Sequence, residues 1–175
     1  MSFPLQTSVP LYQSKTTAGQ DMTGPGQARV ANGGVFATVG ATDKQLFGRV
    51  AAYSGSYNEY AIFPNATTTA AETAGIFFND KLHQNPPSQY GSEPTFSEGD
   101  RVSVLKTGRV TVQTIGTLVF GDDIYVYIGT TEDDWGKLQN TSTAGVLLTE
   151  FAGTDTHKIN LVSSEDGLAV IDINF

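Results

Sequence analysis

The stretch EGDRVSVLKTGRVTVQT, Glu98 to Thr114, decides the fold, because two runs of alternating valines flank the triplet Lys106-Thr107-Gly108. A short connection that ends in Gly is typical of a type I turn followed by a left-handed residue. The pattern therefore predicts a β-hairpin formed by residues 101–105 and 109–113. If Val104 pairs with Val110, the valines share the core face. The opposite face then carries Arg101, Ser103, Thr111 and Gln113.

Similar runs continue on both sides of this stretch, separated by turn residues at roughly ten-residue spacing. Residues 124–128 alternate, which places Ile124, Val126 and Ile128 inward. The stretch Ala66–Gly75 is compatible with a short helix or a loop, and its Thr triplet weakens a helix. The pattern as a whole predicts an all-β, single-domain sandwich or barrel of jelly-roll-like type. The other predicted strands are 35–39, 46–53, 146–151, 159–162 and 168–175.

The N-terminal residues 1–34 differ from the rest, since they are rich in Pro and Gly and poor in periodic apolar residues. Such a segment cannot form a core of its own. We predict an extended arm over 1–34 and a β domain over 35–175, with a possible insertion with long loops over 53–95. The arm either crosses its own domain or is ordered by a partner subunit.

The composition excludes several classes of function. The 175-residue chain has a net charge of −8, with ten Lys and Arg and no Cys. No basic footprint for nucleic acid or anionic membrane is visible. No apolar run is long enough for a membrane span, and the N-terminus lacks the features of a secretory signal. The absence of Cys excludes disulfides and thiolate metal sites and fits a cytosolic origin.

Catalytic and ligand-binding motifs are absent from the sequence. His83 and His157 lie in polar loops, and no nucleophile motif accompanies them. The carboxylates at 122–123 and 132–134 offer oxygen ligands for calcium but lack the spacing of an EF-hand, and Asp is also favoured in turns. The glycine clusters lack the lysine and helix of a phosphate loop. We therefore expect no enzyme activity, no catalytic residues, no metal and no cofactor.

Arginines and aromatic residues are the remaining candidates for binding. Arg101 and Arg109 could hold an anion if other donors converged on them, but surface or interface arginines need no such arrangement. Tyr125 and Tyr127 alternate with core positions, so they face away from the core. They form a contact surface or a second packed layer of the same domain.

Several short motifs, taken in order, resemble the structural cement proteins of tailed phages, which decorate the capsid. GDRVSVLKTGRVTVQT (99–114) and LVFGDDIYVYI (118–128) look like the family's valine-rich strands and Gly-Asp turns. The turn Gly136-Lys137-Leu138 follows them. Upstream, residues 26–29 look like the family's "PGQ-x-A" arm and residues 46–51 like its "FGR-x-V" strand. The segment 53–95 departs from the compact pattern.

The resemblance implies a structural virion protein on the outer surface of the expanded icosahedral capsid, made in the host cytoplasm. It implies that the protein bridges major capsid protein subunits and stabilises the head against internal DNA pressure. A homo-oligomer, dimer or trimer, is expected at the symmetry axes of the shell. Our candidate capsid contacts are Leu11, Tyr12, Gln27 and Arg29, and our candidate oligomer contacts are Tyr125, Tyr127 and Trp135.

Two other hypotheses remain open at this point. The first is a virion receptor- or carbohydrate-binding module, in which Tyr90 and Trp135 stack on sugar rings. The second is a small β-barrel enzyme, which would need a cleft with perturbed titratable groups.

Overall fold

The computed structural model describes residues 18–37, 45–54, 58–62, 73–79, 95–147, 158–165 and 167–175. These residues form ten strands and a single 3-10 turn, Glu132–Asp134. The strands are β1 Val30–Phe36, β2 Val50–Tyr53, β3 Glu59–Ile62, β4 Thr73–Phe77, β5 Arg101–Gln113, β6 Tyr125–Tyr127, β7 Leu138–Gln139, β8 Gly145–Leu147, β9 Lys158–Glu165 and β10 Leu168–Asn174.

Five of the strands close into a ring in the order β1-β3-β2-β4-β5, because β1 pairs with both β3 and β5. The β1–β3 pairing is parallel and the other pairings of the ring are antiparallel. Strands β10 and β9 extend the sheet beyond β5, and β7-β6-β8 form a separate small sheet. The predicted all-β class is confirmed, and the main sheet takes the barrel form.

The long strand β5 corrects the predicted hairpin. Residues 101–113 are one continuous strand, so Val104 does not pair with Val110. Val104 lies opposite Asn32 and Phe77, and Val110 lies opposite Ile171. The local turn signal is overridden because each half of β5 finds its partners elsewhere in the chain.

Gly108 does not form a turn; it allows the segment around Thr23 to pack closely against β5. Its φ is 142°, and a Cβ on it would lie 2.6 Å from the hydroxyl oxygen of Thr23. That hydroxyl accepts a hydrogen bond of 2.9 Å from the Arg109 N–H. Glycine is therefore needed at this position so that the segment around Thr23 can lie against the strand.

The alternation along β5 slips by one residue at Lys106, because Leu105 and Thr107 lie opposite Ala31 and Val30 respectively. The slip is a β-bulge, which shifts side chains from one face to the other. Val102 and Val104 consequently point into the barrel, whereas Val110 and Val112 point to the opposite side. The predicted common valine face is wrong for this reason.

The two faces of the barrel wall build two cores. The first lies inside the barrel, around Phe36, Tyr60, Phe77 and Val104. The second lies between the barrel wall, β10 and the small sheet. Ile124 and Val126 are buried in the second core and Ile128 packs against it, which confirms their predicted inward orientation.

The polar positions of β5 are also corrected. Ser103 and Thr111 are buried, and the side chain of Gln113 donates a 2.8 Å hydrogen bond to the carbonyl of Phe47. Of the four residues predicted on an outward face, Arg101 is the exposed one. Both faces of β5 are covered because the ring closes around one and the small sheet packs on the other.

The C-terminal strands match their predictions, since β9 covers 159–162 and β10 covers 168–174. Strand β1 begins at Val30, earlier than the predicted Val35, and therefore within the predicted arm. Residues 73–75 belong to β4, whereas the rest of Ala66–Gly75 lies outside the described residues. The division into arm, domain and insertion stays a prediction.

Candidate functional site

The described end of the arm lies along the second half of β5. The N–H of Gly19 donates to the carbonyl of Thr111 at 2.7 Å, and the N–H of Thr111 donates to that of Gln20 at 3.0 Å. The N–H of Met22 continues the pattern with a 2.8 Å bond to the carbonyl of Arg109. This part of the arm, residues 19–22, therefore crosses its own domain and is fixed on the barrel.

Arg29 is held at the start of β1 by Asp21, which lies 2.6 Å from its Nε. Its guanidinium carbon also lies 5.3 Å from the centre of the Phe78 ring, within the range of a cation–π contact. The other oxygen of Asp21 accepts a 2.9 Å bond from the Thr23 N–H. Partial burial opposes ionisation of Asp21, but the bonds from Thr23 and Arg29 outweigh it and lower the pKa of the carboxyl.

Gln27 closes a turn between Asp21 and Arg29. Its N–H donates to the carbonyl of Gly24 at 3.2 Å, and its side-chain oxygen accepts from the Gly24 N–H at 2.7 Å. Residues 25–30 are all exposed. The structure thus brings Gln27 and Arg29 together on one exposed, hydrogen-bonded segment, whereas Leu11 and Tyr12 lie outside the described residues.

The predicted oligomer residues lie around the small sheet. Tyr125 and Tyr127 are half-buried on β6, and Trp135 is half-buried against the barrel core. Gly129 packs under the Tyr127 ring, since a Cβ there would lie 2.3 Å from the phenol oxygen. These side chains take part in packing within the chain, and their role in an oligomer stays a prediction.

The two arginines of the anion hypothesis do not converge. Arg109 forms a two-pronged ion pair with Asp172, at 2.6 and 2.8 Å, and this pairing raises the pKa of the guanidinium. Arg101 lies at the other end of β5, about 25 Å along an extended chain. Arg101 lines a small open depression with Phe96, Gly99 and Asp100.

The turn after Leu118 holds a feature that the sequence prediction missed. Phe120 is 83% exposed and Val119 is 53% exposed, while Leu118 is buried. The N–H of Asp122 donates to the carbonyl of Val119 at 3.2 Å, and Gly121 has a φ of 92°, which is typical of a type II turn. The sequence signal for this exposed turn was the apolar triplet 118–120 directly before Gly121-Asp122. It was missed because the same pattern also occurs at the end of a strand.

Other kinds of site find no support in the described ranges. These residues contain no group of three or more His, Cys, Asp or Glu side chains arranged to hold a metal ion. His83, Tyr90 and His157 lie outside them. Trp135 uses its indole N–H internally, in a 2.6 Å bond to the carbonyl of Gly129. Within the same ranges, no helix has the length and apolar character needed to cross a membrane.

Comparisons with known proteins complete this description. The model of the family described as "Structural cement protein (E217 gp24/Pam3 gp6)" matches residues 5–174. A chain in the solved structure titled "The capsid of Myoviridae Phage XM1" is similar with a TM-score of 0.61 and 16% identity, over 98% of each chain. At this identity the likeness shows a shared fold. None of the curated proteins matches the chain.

Proposed function

The chain belongs to the family of phage structural cement proteins, and from this premise we propose that it binds the outside of the expanded capsid and bridges major capsid protein subunits. Family membership makes it a structural component of the virion capsid that associates with capsid proteins. The bridging would stabilise the head against internal DNA pressure. This role is mechanical, so it requires contact surfaces and no catalytic residues.

The observation that carries the proposal is the docking of residues 19–22 along β5. A chain that crosses from one protein to another transmits force only if both of its ends are held. Here one end is held by main-chain hydrogen bonds and by the Asp21–Arg29 pair. Residues 1–17 are then available to add main-chain hydrogen bonds to a neighbouring sheet edge, a common mode of peptide recognition.

The proposed contacts divide into two groups. Leu11 and Tyr12 in the arm, with Gln27 and Arg29 on the exposed segment 25–30, contact a capsid subunit. Tyr125, Tyr127 and Trp135 support a homo-oligomer, a dimer or a trimer, through the parts of their rings that remain exposed. Many modest contacts repeated by the symmetry of the shell give avidity without a single strong site.

The test compares the full-length protein with a variant that lacks residues 1–17, using empty expanded heads purified without the cement protein. The truncation ends at residue 17 because removal of residues 18–30 would strip hydrogen bonds from β5. We expect full-length protein to co-sediment with heads and to raise the temperature at which they break. The truncated protein should keep its unfolding midpoint but lose most of its binding.

Two results would count against the proposal. Full-length protein that stays in the supernatant with expanded heads would reject capsid binding. Truncated protein that binds as well as full-length protein would reject the arm as the main contact. Light scattering on the free protein would test the homo-oligomer separately, because a monomeric mass at working concentration contradicts it.

A further inference from the structure

The turn at Val119–Phe120 exposes two adjacent apolar side chains on the described part of the protein. Among the large apolar side chains that the structure describes, Phe120 has the largest exposed fraction, 83%. A soluble protein gains nothing from an isolated aromatic ring in water, and aromatic side chains dominate the binding energy at protein interfaces. Burial of this ring by a partner would therefore contribute to binding.

The turn is built to present this ring rigidly. Leu118 anchors it in the second core, and the Leu118 N–H donates a 2.9 Å bond to the side-chain oxygen of Ser164 on β9. The hydrogen bond between Asp122 and Val119 closes the turn on the other side. A side chain that is already fixed loses little conformational freedom on binding, so its burial contributes more to affinity.

The charges near the Phe120 ring indicate which kind of partner surface would be complementary to it. Asp122 and Asp123 follow it directly and are exposed, and Glu165 lies next to Ser164 on β9. The stretch 114–124 contains no Lys or Arg. An apolar ring beside several carboxylates fits an apolar pocket with a basic rim, because complementary charge favours encounter and register.

A second copy of this chain fits this description poorly. Two copies that met through this turn would bring Asp122 and Asp123 of each copy close together, and these like charges repel. In the part of the chain that the structure describes, Arg29, Arg109 and Lys137 are paired with carboxylates of their own chain, whereas Arg101 is exposed at the far end of β5. The partner is therefore a different protein with basic groups to offer.

The position of the turn separates it from the arm. The arm segment bonds β5 at Arg109 and Thr111, on the edge of β5 that faces away from β10. The Phe120 turn is tied to Ser164, opposite Ala169 near the start of β10. Strands β5 and β10 therefore lie between the arm segment and β9, and three strand spacings of about 4.8 Å place the two points about 14 Å apart. Two contacts at this distance can engage two different subunits.

We propose that Phe120 enters an apolar pocket with a basic rim on a major capsid protein subunit, as a second contact besides the arm. The inference rests on the proposed function, because it takes its partner from the capsid. It adds to that function a specific contact residue, Phe120, and the chemistry of the pocket that receives it. It also assigns the second capsid contact of the proposed bridge to the turn at Val119–Phe120.

The first experiment measures binding to expanded heads for Phe120→Ser and for the matched control Val162→Ser, which removes another exposed apolar side chain on β9 (47% exposed). We expect Phe120→Ser to weaken binding by about tenfold or more, as for a central interface residue, and Val162→Ser to have little effect. Both variants should keep the wild-type unfolding midpoint. A variant Asp122→Asn/Asp123→Asn should bind more slowly and with less dependence on salt.

The second experiment places a photoreactive benzophenone amino acid at position 120 and irradiates the protein on heads. We expect a cross-link to a capsid peptide that contains apolar residues with Lys or Arg nearby. A cross-link to a second copy of this chain would overturn the inference. Wild-type binding of Phe120→Ser would overturn it too, while leaving capsid binding intact. Failure of the wild-type protein itself to bind heads would instead reject the function on which the inference rests.

Discussion

The indole Nε1 of Trp135 donates a 2.6 Å hydrogen bond to the carbonyl oxygen of Gly129, six residues earlier in the chain. The carbonyl of Trp135 in turn accepts a 3.1 Å bond from the Nη1 of the buried Arg49. One residue therefore ties the connection between β6 and β7 to the wall of the barrel.

Trp135→Phe should lower the free energy of unfolding by about 1–2 kcal/mol, because the carbonyl of Gly129 loses its donor while most of the apolar packing remains. Urea unfolding followed by far-UV circular dichroism measures this, since Trp135 is the single tryptophan of the chain. Tyr125→Phe is the control, with an expected change within about 0.5 kcal/mol. Equal stability of Trp135→Phe and wild type would show that the hydrogen bond contributes nothing.

Gly33 and Gly34 are neighbours on β1, but we expect their replacement by alanine to change the stability of the protein differently. A Cβ on Gly34 would lie 2.2 Å from the Asn58 carbonyl and 2.4 Å from the Tyr60 ring, whereas a Cβ on Gly33 meets nothing within 4 Å. Gly34→Ala should therefore destabilise the protein by about 2–4 kcal/mol, because it pushes β1 away from β3. Gly33→Ala, the matched control, should be neutral or slightly stabilising. Denaturant unfolding of both variants would decide, and equal values would contradict the tight approach of β1 and β3.

Ala144 lies in a left-handed backbone conformation, with a φ of 52°. Its carbonyl accepts a 2.7 Å bond from the Ile128 N–H, so the conformation is held by the small sheet. Ala144→Gly should raise the free energy of unfolding by up to about 1 kcal/mol, because glycine adopts this conformation without steric cost. Ala28→Gly, at an exposed position without positive φ, should be neutral or destabilising. Thermal melts check both, and a loss of stability in Ala144→Gly would be the opposite of the expected sign.

The lowered pKa of Asp21 makes the docking of the arm sensitive to acid. The group's ordinary value is 3.8, and its folded-state pKa lies below that. The resulting stability is present in full above the ordinary value and is lost as the pH falls through the folded pKa, hence below about pH 4. Near neutral pH, Asp21→Asn should lower Tm by about 2–4 °C. The variant and wild type should converge as the pH falls below the folded-state pKa of Asp21.

The matched control for this pH series is Glu165→Gln, which neutralises an exposed carboxylate on β9. Melts of the three proteins between pH 2.5 and 7 should show a pH-dependent gap for Asp21→Asn and a flat, small difference for Glu165→Gln. A constant gap for Asp21→Asn over the whole range would mean that the carboxylate has the same pKa in the folded and unfolded states.

The sequence predicted several of the strands but not which strands pair. Alternation placed Ile124, Val126 and Ile128 correctly, because inward orientation depends only on neighbours within the same strand. Pairing depends on contacts that are distant in sequence, and two valine runs joined by a Gly-containing triplet satisfy a hairpin as well as a single long strand. Gly108 was misinterpreted because only the structure shows Thr23 against it.

The candidate contacts were predictable to different degrees. Gln27 and Arg29 lie on one exposed segment, and their contact with the capsid stays a prediction. Phe120 escaped prediction because its exposure results from a closed turn beside a buried Leu118, and a sequence pattern does not distinguish an apolar strand end from a protruding ring. The motif order that resembled cement proteins nevertheless identified the family, which its model then confirmed over residues 5–174.

Strand β5 also determines when the protein can fold during its synthesis. Its first half pairs with β1, near the beginning of the chain, and its second half pairs with β10, at the very end. Contacts so distant in sequence form late and slowly. A chain released early by the ribosome lacks β10 and leaves Val110 and Val112 uncovered, so it is a target for proteases and aggregation. We therefore expect a chain without β10 to be lost before it can bind a capsid.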